Sequence, residues 1–272
     1  TFAVGLKGSV DLIHAKNVAN YLKTDHHELI LDDKTMFSEI ENDIYFIESF
    51  DTTTVRASTP MYLLSKYIKE NFDVTILFSG EGSDEASGSY LYFRNAPDDK
   101  SFHNETIRLL KDLYLFDVLR CDKATACAGL EVRVPFLDKN FIDYYMSINP
   151  KFKNPSSFEG IEKYLLRLAF ENDLPKEITW RKKEAFSDGV SGMEKSWYSI
   201  IQENVEKKIS DLEFEQKGEI YKNNTPILKE TFYYRNIFNK FYPNFDSIIP
   251  YYWIPKWSGN LNDPSARKLN CY

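Results

Sequence analysis

The chain has 272 residues, of which 43% are hydrophobic, and carries a formal net charge of -7. That apolar content supports a folded core and excludes a disordered chain, while the acidic balance argues against a nucleic-acid partner, because nonspecific phosphate binding needs clustered Lys and Arg. Its three cysteines form no CxxC pair, so neither a zinc ribbon nor a disulfide framework is indicated. With no apolar run near the roughly 20 residues that cross a bilayer and no signal peptide, we expect a cytoplasmic protein.

The first half of the chain alternates strand and helix signals. An apolar strand at residues 1–4 is followed by apolar residues at helical spacing behind a Ser9 cap. The sequence HHELIL at 26–31 predicts a second strand, a helix follows at about 35–50, and the apolar run 73–78 predicts a third strand. Strands that alternate with helices indicate βαβ units and a parallel sheet covered on both faces.

The later helices are predicted from breaks and periodicity. A threonine-rich break at 51–56 precedes Thr59 and Pro60, which fit the cap and first position of a helix. Beyond about residue 110 the strand signals thin out, and helical patterns appear at 161–172 and 195–209. We therefore predict an α/β fold in which a parallel sheet is flanked by helices and the C-terminal half is mainly helical.

A glycine-rich turn after the third strand is the first candidate site. In an open α/β sheet, ligands bind beyond the carboxyl ends of the strands, where backbone amides meet an anion. Three carboxylates, Glu81, Asp84 and Glu85, surround this turn. Asp84 and Glu85 could simply complement the dipole of the next helix, but Glu81 lies inside the turn. Either Mg2+ held between a carboxylate and phosphates, or a carboxylate acting as proton acceptor, would explain it.

The motifs of this chain resemble one family along nearly the whole sequence. They are, in chain order, RASTPMYLLSKYI, FSGEGSDE, GSYLYF, GLEVRVPFLD, WRKKEAFSDG and NDPSAR. Together they are similar to the synthetase domain of glutamine-hydrolysing asparagine synthetases, which is far more specific than a GxG turn alone.

The resemblance implies a fold, a reaction and cofactors. The fold is of the ATP-pyrophosphatase type, similar to adenine-nucleotide α-hydrolases. The implied reaction is the ATP-dependent amidation of aspartate to asparagine through β-aspartyl-AMP, with AMP and pyrophosphate as products. ATP and Mg2+ are the implied cofactors, and aspartate and glutamine-derived ammonia are the other substrates.

The resemblance also assigns roles to residues of the nucleotide site. Val4, Ser79 and Gly80 match positions that line the ATP pocket of the family. Asp84 matches the ligand of a Mg2+ that is bound to pyrophosphate. Lys183, in WRKKEAFSDG, matches a lysine that contacts the phosphates; without the resemblance it would be interpreted as part of a solvated basic run.

Three further residues match positions of the acid substrate and its intermediate. Glu81 matches the glutamate associated with formation of the adenylate and with the incoming amine. Thr53 and Arg56, in TTTVRAS, match positions that hold the aspartyl intermediate, and arginine suits this role because its fork binds carboxylate or phosphate at two points. The charged residues of 131–138 are as compatible with a structural network as with substrate, so we leave them outside the site.

The chain differs from the family in what it lacks. Family members begin with a glutaminase domain, and they carry an SGGxDS loop that wraps pyrophosphate; neither is in this sequence. We therefore expect that residues 1–272 form one N-terminally incomplete synthetase domain of a longer polypeptide, and that a glutaminase domain of that polypeptide is its partner. We also expect that the isolated fragment is inactive and that the enzyme forms a homodimer. Two alternatives stay open: a truncated, non-catalytic paralogue that binds or regulates a complete enzyme, and a relative that activates another carboxylate, as β-lactam synthetases do.

Overall fold

The structure is a computed structural model in which residues 1–192 and 195–269 are described. Four short strands, β1 to β4, lie at Phe2–Leu6, His27–Leu31, Ile76–Phe78 and Glu131–Arg133. Helices α1 to α8 lie at Val10–Leu22, Asp33–Ser38, Ile40–Ile47, Thr52–Asn71, Ser83–Ser87, Asp99–Asp112, Asp117–Ala126 and Lys139–Ser147. Helices α9 to α15 lie at Tyr164–Ala169, Lys176–Thr179, Phe186–Gly189, Trp197–Glu206, Asp211–Glu215, Lys217–Ile220 and Lys229–Phe241.

The strands pair in parallel, and the predicted α/β class is confirmed. β1 pairs with β2, with Val4 opposite Leu29, and β3 pairs with β4, with Leu77 opposite Val132. Within the described ranges these are two separate two-stranded sheets rather than one continuous sheet. The three predicted strands are present, whereas β4 was not predicted, because three residues with partly exposed side chains give no apolar run.

The N-cap of helix α4 lies eight residues before the predicted Thr59 cap, so that prediction was wrong. Asp51 is the N-cap: its Oδ2 accepts hydrogen bonds from the backbone N and Oγ1 of Thr54, both at 2.9 Å. Pro60 lies inside the helix and leaves the carbonyl of Arg56 without its i+4 amide. The indole Nε1 of Trp197 donates to that carbonyl at 3.0 Å, so a side chain replaces the missing donor.

The other N-terminal helices follow the sequence more closely. Ser9 caps α1 as predicted, since its Oγ accepts from the backbone N of Leu12. The same hydroxyl donates to the carbonyl of Gly189 at 2.7 Å and ties α1 to the α11 segment. The single helix predicted at 35–50 is instead α2 and α3, which are separated at Glu39.

Two apolar clusters form the core. The larger cluster packs β1, α2, α3 and α4 against α12 and α15, with Met36, Phe50, Trp197 and Phe238 among its fully buried side chains. The smaller one packs residues 91–93 and α6 against the C-terminal segment, with Trp253 buried at its centre. Within the described residues, no helix combines the length and apolarity that crossing a membrane requires.

Candidate functional site

A cavity of about 740 Å³ opens where β3 ends, and most of the predicted site residues line it. The predicted residues on its wall are Thr53, Ser79, Gly80, Glu81, Asp84 and Lys183. Val4 and Arg56 do not line it: Val4 is buried on β1, and Arg56 is buried on α4. The structure therefore gathers six of the eight predicted residues around one space.

The glycine turn takes its shape from backbone geometry that only glycine tolerates. The backbone N of Ser79 donates to the carbonyl of Arg133 at 2.9 Å, which continues the β3 to β4 ladder into the turn. Gly82 has φ of 85°, and a Cβ at this position would lie 2.2 Å from the side chain of Leu137. Gly82 therefore fixes the direction in which the following helix α5 leaves the turn.

Glu81 is held by a buried arginine on α7. Arg120 donates from Nη1 to Oε1 of Glu81 at 3.0 Å and from Nη2 to Oε2 at 2.9 Å, and it also contacts Asp117 at 3.1 Å. Burial raises the pKa of Glu81 above its usual value, while the guanidinium of Arg120 works in the opposite direction. One buried guanidinium holds both oxygens of Glu81 at two points, which leaves this carboxylate less available to a metal ion, and we interpret it as a proton acceptor.

Asp84 lies between two lysines. Lys163 Nζ contacts Oδ1 of Asp84 at 2.8 Å, and Lys183 Nζ contacts Oδ2 at 2.9 Å. Burial would raise the pKa of Asp84, but the two ammonium groups hold it well below its usual range. Asp84 is therefore paired by contacts across the cavity wall, and complementation of a five-residue helix does not account for its position.

The donor set around Asp84 fits a magnesium ion only in company with phosphates. Within the described residues there is no group of three or more His, Cys, Asp and Glu side chains that could hold a metal. Magnesium needs only one or two carboxylates when substrate phosphates supply further oxygens. Asp84 is thus the residue that would hold the ion, and Lys163 and Lys183 would then be free to turn to the phosphates.

A third acid of the turn, Glu85, is buried deeper than the sequence suggested. Its side chain accepts a short hydrogen bond from the hydroxyl of Tyr90. Burial, together with the neighbouring charges of Asp117 and Asp84, raises the pKa of Glu85 well above its usual value. Burial beside two other acids therefore disfavours the charged form of Glu85 on the cavity wall.

The two TTTVRAS positions separate in the structure. Thr53 lies in the first turn of α4 on the cavity wall, and its Oγ1 is buried without a hydrogen-bond partner among the described residues. Arg56 donates from Nε and Nη2 to Glu230 at 2.7 and 2.6 Å and from Nη1 to Asp263 at 2.7 Å. Its contact with the aspartyl intermediate stays a prediction, as does the contact of Val4 with the nucleotide.

The charged residues of 131–138 lie outside the cavity, where the sequence analysis left them. Glu131 and Arg133 pair with each other, and both side chains are more than half exposed. Asp138 instead caps α8, since its Oδ1 accepts from the backbone N of Asn140 and Phe141.

Sequence reasoning missed two residues of the wall, Arg120 and Asp188, and Lys163, which contacts the wall residue Asp84. Arg120 and Lys163 are the two cations that pair with the predicted acids, and Asp188 holds the C-terminal segment, which closes one side of the cavity. Asp188 lies in the quoted motif WRKKEAFSDG, from which only Lys183 was chosen, whereas no motif that we quoted contains Arg120 or Lys163. They are brought to the site only by tertiary packing.

Comparisons with known proteins agree with the geometry. A family model described as asparagine synthase matches residues 1–104 and 93–260. Three similar relatives are glutamine-hydrolyzing asparagine synthetases from Gallus gallus, Rattus norvegicus and Homo sapiens, which are 50%, 48% and 47% identical to this chain. Each alignment covers 100% of this chain and 48% of the relative, so the chain spans about half the length of the curated relatives it matches.

Proposed function

Because this chain belongs to the asparagine synthase family, we propose that it carries the site at which aspartate is amidated to asparagine at the expense of ATP. The observation that carries the proposal is the cavity wall beyond β3. There Lys183 and Asp84 line the same cavity as the glycine turn of Ser79 and Gly80, together with Glu81. This chemistry requires cations that neutralise phosphate, a carboxylate that accepts a proton, and backbone that approaches the nucleotide closely.

The first step is activation of the aspartate side chain. A carboxylate is a poor electrophile, so its oxygen attacks the α-phosphorus of ATP, pyrophosphate leaves, and β-aspartyl-AMP forms. Lys183 neutralises charge that develops on the phosphate oxygens, and Ser79 and Gly80 bring backbone close to the nucleotide. Mg2+, which Asp84 would hold, supplies further neutralisation of the phosphates when it is bound.

The second step is the attack of ammonia on the activated carbonyl. The nitrogen forms a bond to the acyl carbon, AMP leaves, and the nitrogen gives up a proton. Glu81 is placed to accept that proton, because Arg120 orients its carboxylate and favours its ionised form. Thr53, whose hydroxyl has no other described partner, is assigned to the aspartyl part of the intermediate.

The remaining proposals concern the natural polypeptide. Ammonia is supplied from glutamine by a glutaminase domain outside this chain, since the chain covers 48% of relatives that are named glutamine-hydrolyzing. The enzyme acts in the cytoplasm as a homodimer, and the 272 residues alone do not turn over substrate.

Exchange of labelled pyrophosphate into ATP tests the proposal. In the natural polypeptide that carries this sequence, we expect exchange that depends on aspartate, and formation of asparagine and AMP when ammonium chloride is added. Exchange that depends on another carboxylate would instead identify a relative with a different acid substrate. No turnover with any carboxylate, combined with co-purification of a complete synthetase, would identify a regulatory paralogue.

A further inference from the structure

One side of the cavity is closed by a segment with almost no secondary structure of its own. We call residues 263–269 the C-terminal strap; its one regular element is a short 3-10 turn at Ala266–Lys268. Pro264, Ala266 and Leu269 of the strap line the cavity. Because the strap has no helix or strand to hold it, its position depends on side-chain contacts with the rest of the fold.

Arg56 makes the first of these attachments. Its Nη1 and Nη2 donate to the two carboxylate oxygens of Asp263 at 2.7 and 3.1 Å, and its Nε and Nη2 donate to Glu230 of α15 at 2.7 and 2.6 Å. Gln202 of α12 adds a hydrogen bond to Asp263 at 2.8 Å. The arginine is 2% exposed, so it joins α4, α15 and the strap at one buried point.

Asp188 makes the second attachment. It accepts from Oγ of Ser265 at 2.9 Å and from the backbone N of Ala266 at 3.2 Å, and its carbonyl accepts from Nη2 of Arg267 at 3.0 Å. Asp188 lines the cavity, whereas the attachment at Asp263 lies behind the wall. Polar contacts therefore hold the strap at Asp188 on the cavity and at Arg56 and Gln202 behind it, and its Leu269 packs in the smaller apolar cluster.

From this geometry we infer that Arg56 is a positioning residue that acts through Asp263: it holds the strap closed against the cavity and so keeps water from the activated intermediate. The inference rests on the proposed function for its chemistry. It differs from the role that the sequence suggested for Arg56, since all four of its hydrogen bonds to carboxylates go to Glu230 and Asp263 and none is directed into the cavity.

Water and ammonia compete for the same acyl carbon. Attack by water breaks the bond from the acyl carbon to AMP and regenerates aspartate, whereas attack by ammonia breaks the same bond and gives asparagine. Both routes release one AMP. The ratio of AMP released to asparagine formed therefore measures how well water is excluded, and it does not depend on the fraction of folded enzyme.

Asp263→Asn is the decisive variant because it weakens the strap while Glu230 continues to hold Arg56. In the natural polypeptide, we expect amide hydrogen exchange in residues 263–269 to become about tenfold faster, since charge-assisted hydrogen bonds are replaced by weaker ones. With ammonium chloride as nitrogen source, we expect the ratio of AMP to asparagine to rise severalfold above that of the wild type. Arg56→Lys, which keeps one charge but not the fork, should raise the ratio by less than Arg56→Met.

A matched control is Asp246→Asn, which removes a carboxylate 3.5 Å from another buried arginine, Arg235, away from the strap. It should leave both measurements unchanged. Faster hydrogen exchange of the strap in Asp263→Asn, with an unchanged ratio of AMP to asparagine, would overturn the inference. It would also be overturned if Asp263→Asn left both measurements unchanged while Arg56→Met abolished pyrophosphate exchange. That second result would indicate that Arg56 contacts the substrate directly. Absence of aspartate-dependent AMP in the wild type would refute the proposed function separately.

Discussion

Arg120 and Glu81 form a two-bond ion pair on the wall of the cavity, with nitrogen to oxygen distances of 3.0 and 2.9 Å. The arginine side chain is 5% exposed and that of the glutamate 14%. An acid in a glycine turn after a strand can act as a metal ligand or as a proton acceptor. We interpret Glu81 as the proton acceptor, because one rigid guanidinium fork holds both of its oxygens, whereas each oxygen of Asp84 is held by a separate, flexible lysine.

Replacing Arg120 tests this assignment. Burial raises the pKa of Glu81 and Arg120 opposes that rise, so Arg120→Met removes the opposing charge and raises the pKa of Glu81 further. Glu81 then loses its proton only at higher pH. We expect the acid limb of asparagine formation to lie at higher pH in Arg120→Met than in the wild type. An unchanged limb with a uniformly lower rate would show that Arg120 serves stability alone.

Glu81→Asp separates proton transfer from metal binding in a second way. The shorter side chain withdraws the carboxylate from the reacting nitrogen, and transfer requires a distance of about 2.6 to 3.2 Å. We expect no asparagine formation at any Mg2+ concentration, while ATP binding, measured by calorimetry, persists through Ser79 and Gly80. Recovery of full activity with added Mg2+ would reassign Glu81 to the metal, because mass action offsets weaker coordination. Glu131→Asp, at an exposed acid of β4, is the control.

Lys183→Ala removes the cation that we assign to the phosphates and leaves Asp84 with Lys163. By analogy with loss of an oxyanion donor, the barrier to adenylate formation should rise by about 2.7 to 4 kcal/mol, a loss of about 100- to 1,000-fold in rate. Pyrophosphate exchange measures this step directly. Lys16→Ala, at an exposed lysine outside the cavity, should keep the normal rate, and normal exchange in Lys183→Ala would refute the role.

The burial of Asp43 predicts how the free energy of unfolding depends on pH, independently of the candidate site. It is fully buried, and burial raises its pKa to about 7 although the hydroxyls of Ser58 and Thr59 oppose the rise; its Oδ1 has no partner in the described residues. Since the folded pKa lies above the unfolded one, the folded state binds more protons between about pH 4 and 7. The free energy of unfolding therefore falls as pH rises through that window, by about 4 kcal/mol at most.

Asp43→Asn should remove this fall, and urea unfolding at several pH values between 4 and 8 measures it. Asp33→Asn, at an exposed carboxylate, should retain the fall of the wild type. A wild-type stability that is constant between pH 4 and 7 would contradict the prediction.

Local sequence patterns were enough to predict the elements whose apolar runs or capping residues lie within the element itself. The apolar runs of β1, β2 and β3 and the Ser9 cap of α1 are visible in the sequence, because strand burial and capping involve neighbours within a few residues. The start of α4 was missed, because a proline normally opens a helix, whereas Pro60 lies inside this one and the distant indole of Trp197 supplies the donor that it removes.

For the site, the sequence determined the residue types and their family resemblance, and six of its eight proposed residues share one cavity. Only the tertiary structure decided their partners. Glu81 pairs with Arg120, 39 positions away, and Asp84 pairs with Lys163, 79 positions away, in addition to Lys183. Arg56 pairs with Asp263, 207 positions away. The reason is physical, since a buried charge must find an opposite charge in space, and spacing along the chain does not record which distant side chain packing brings within 3 Å.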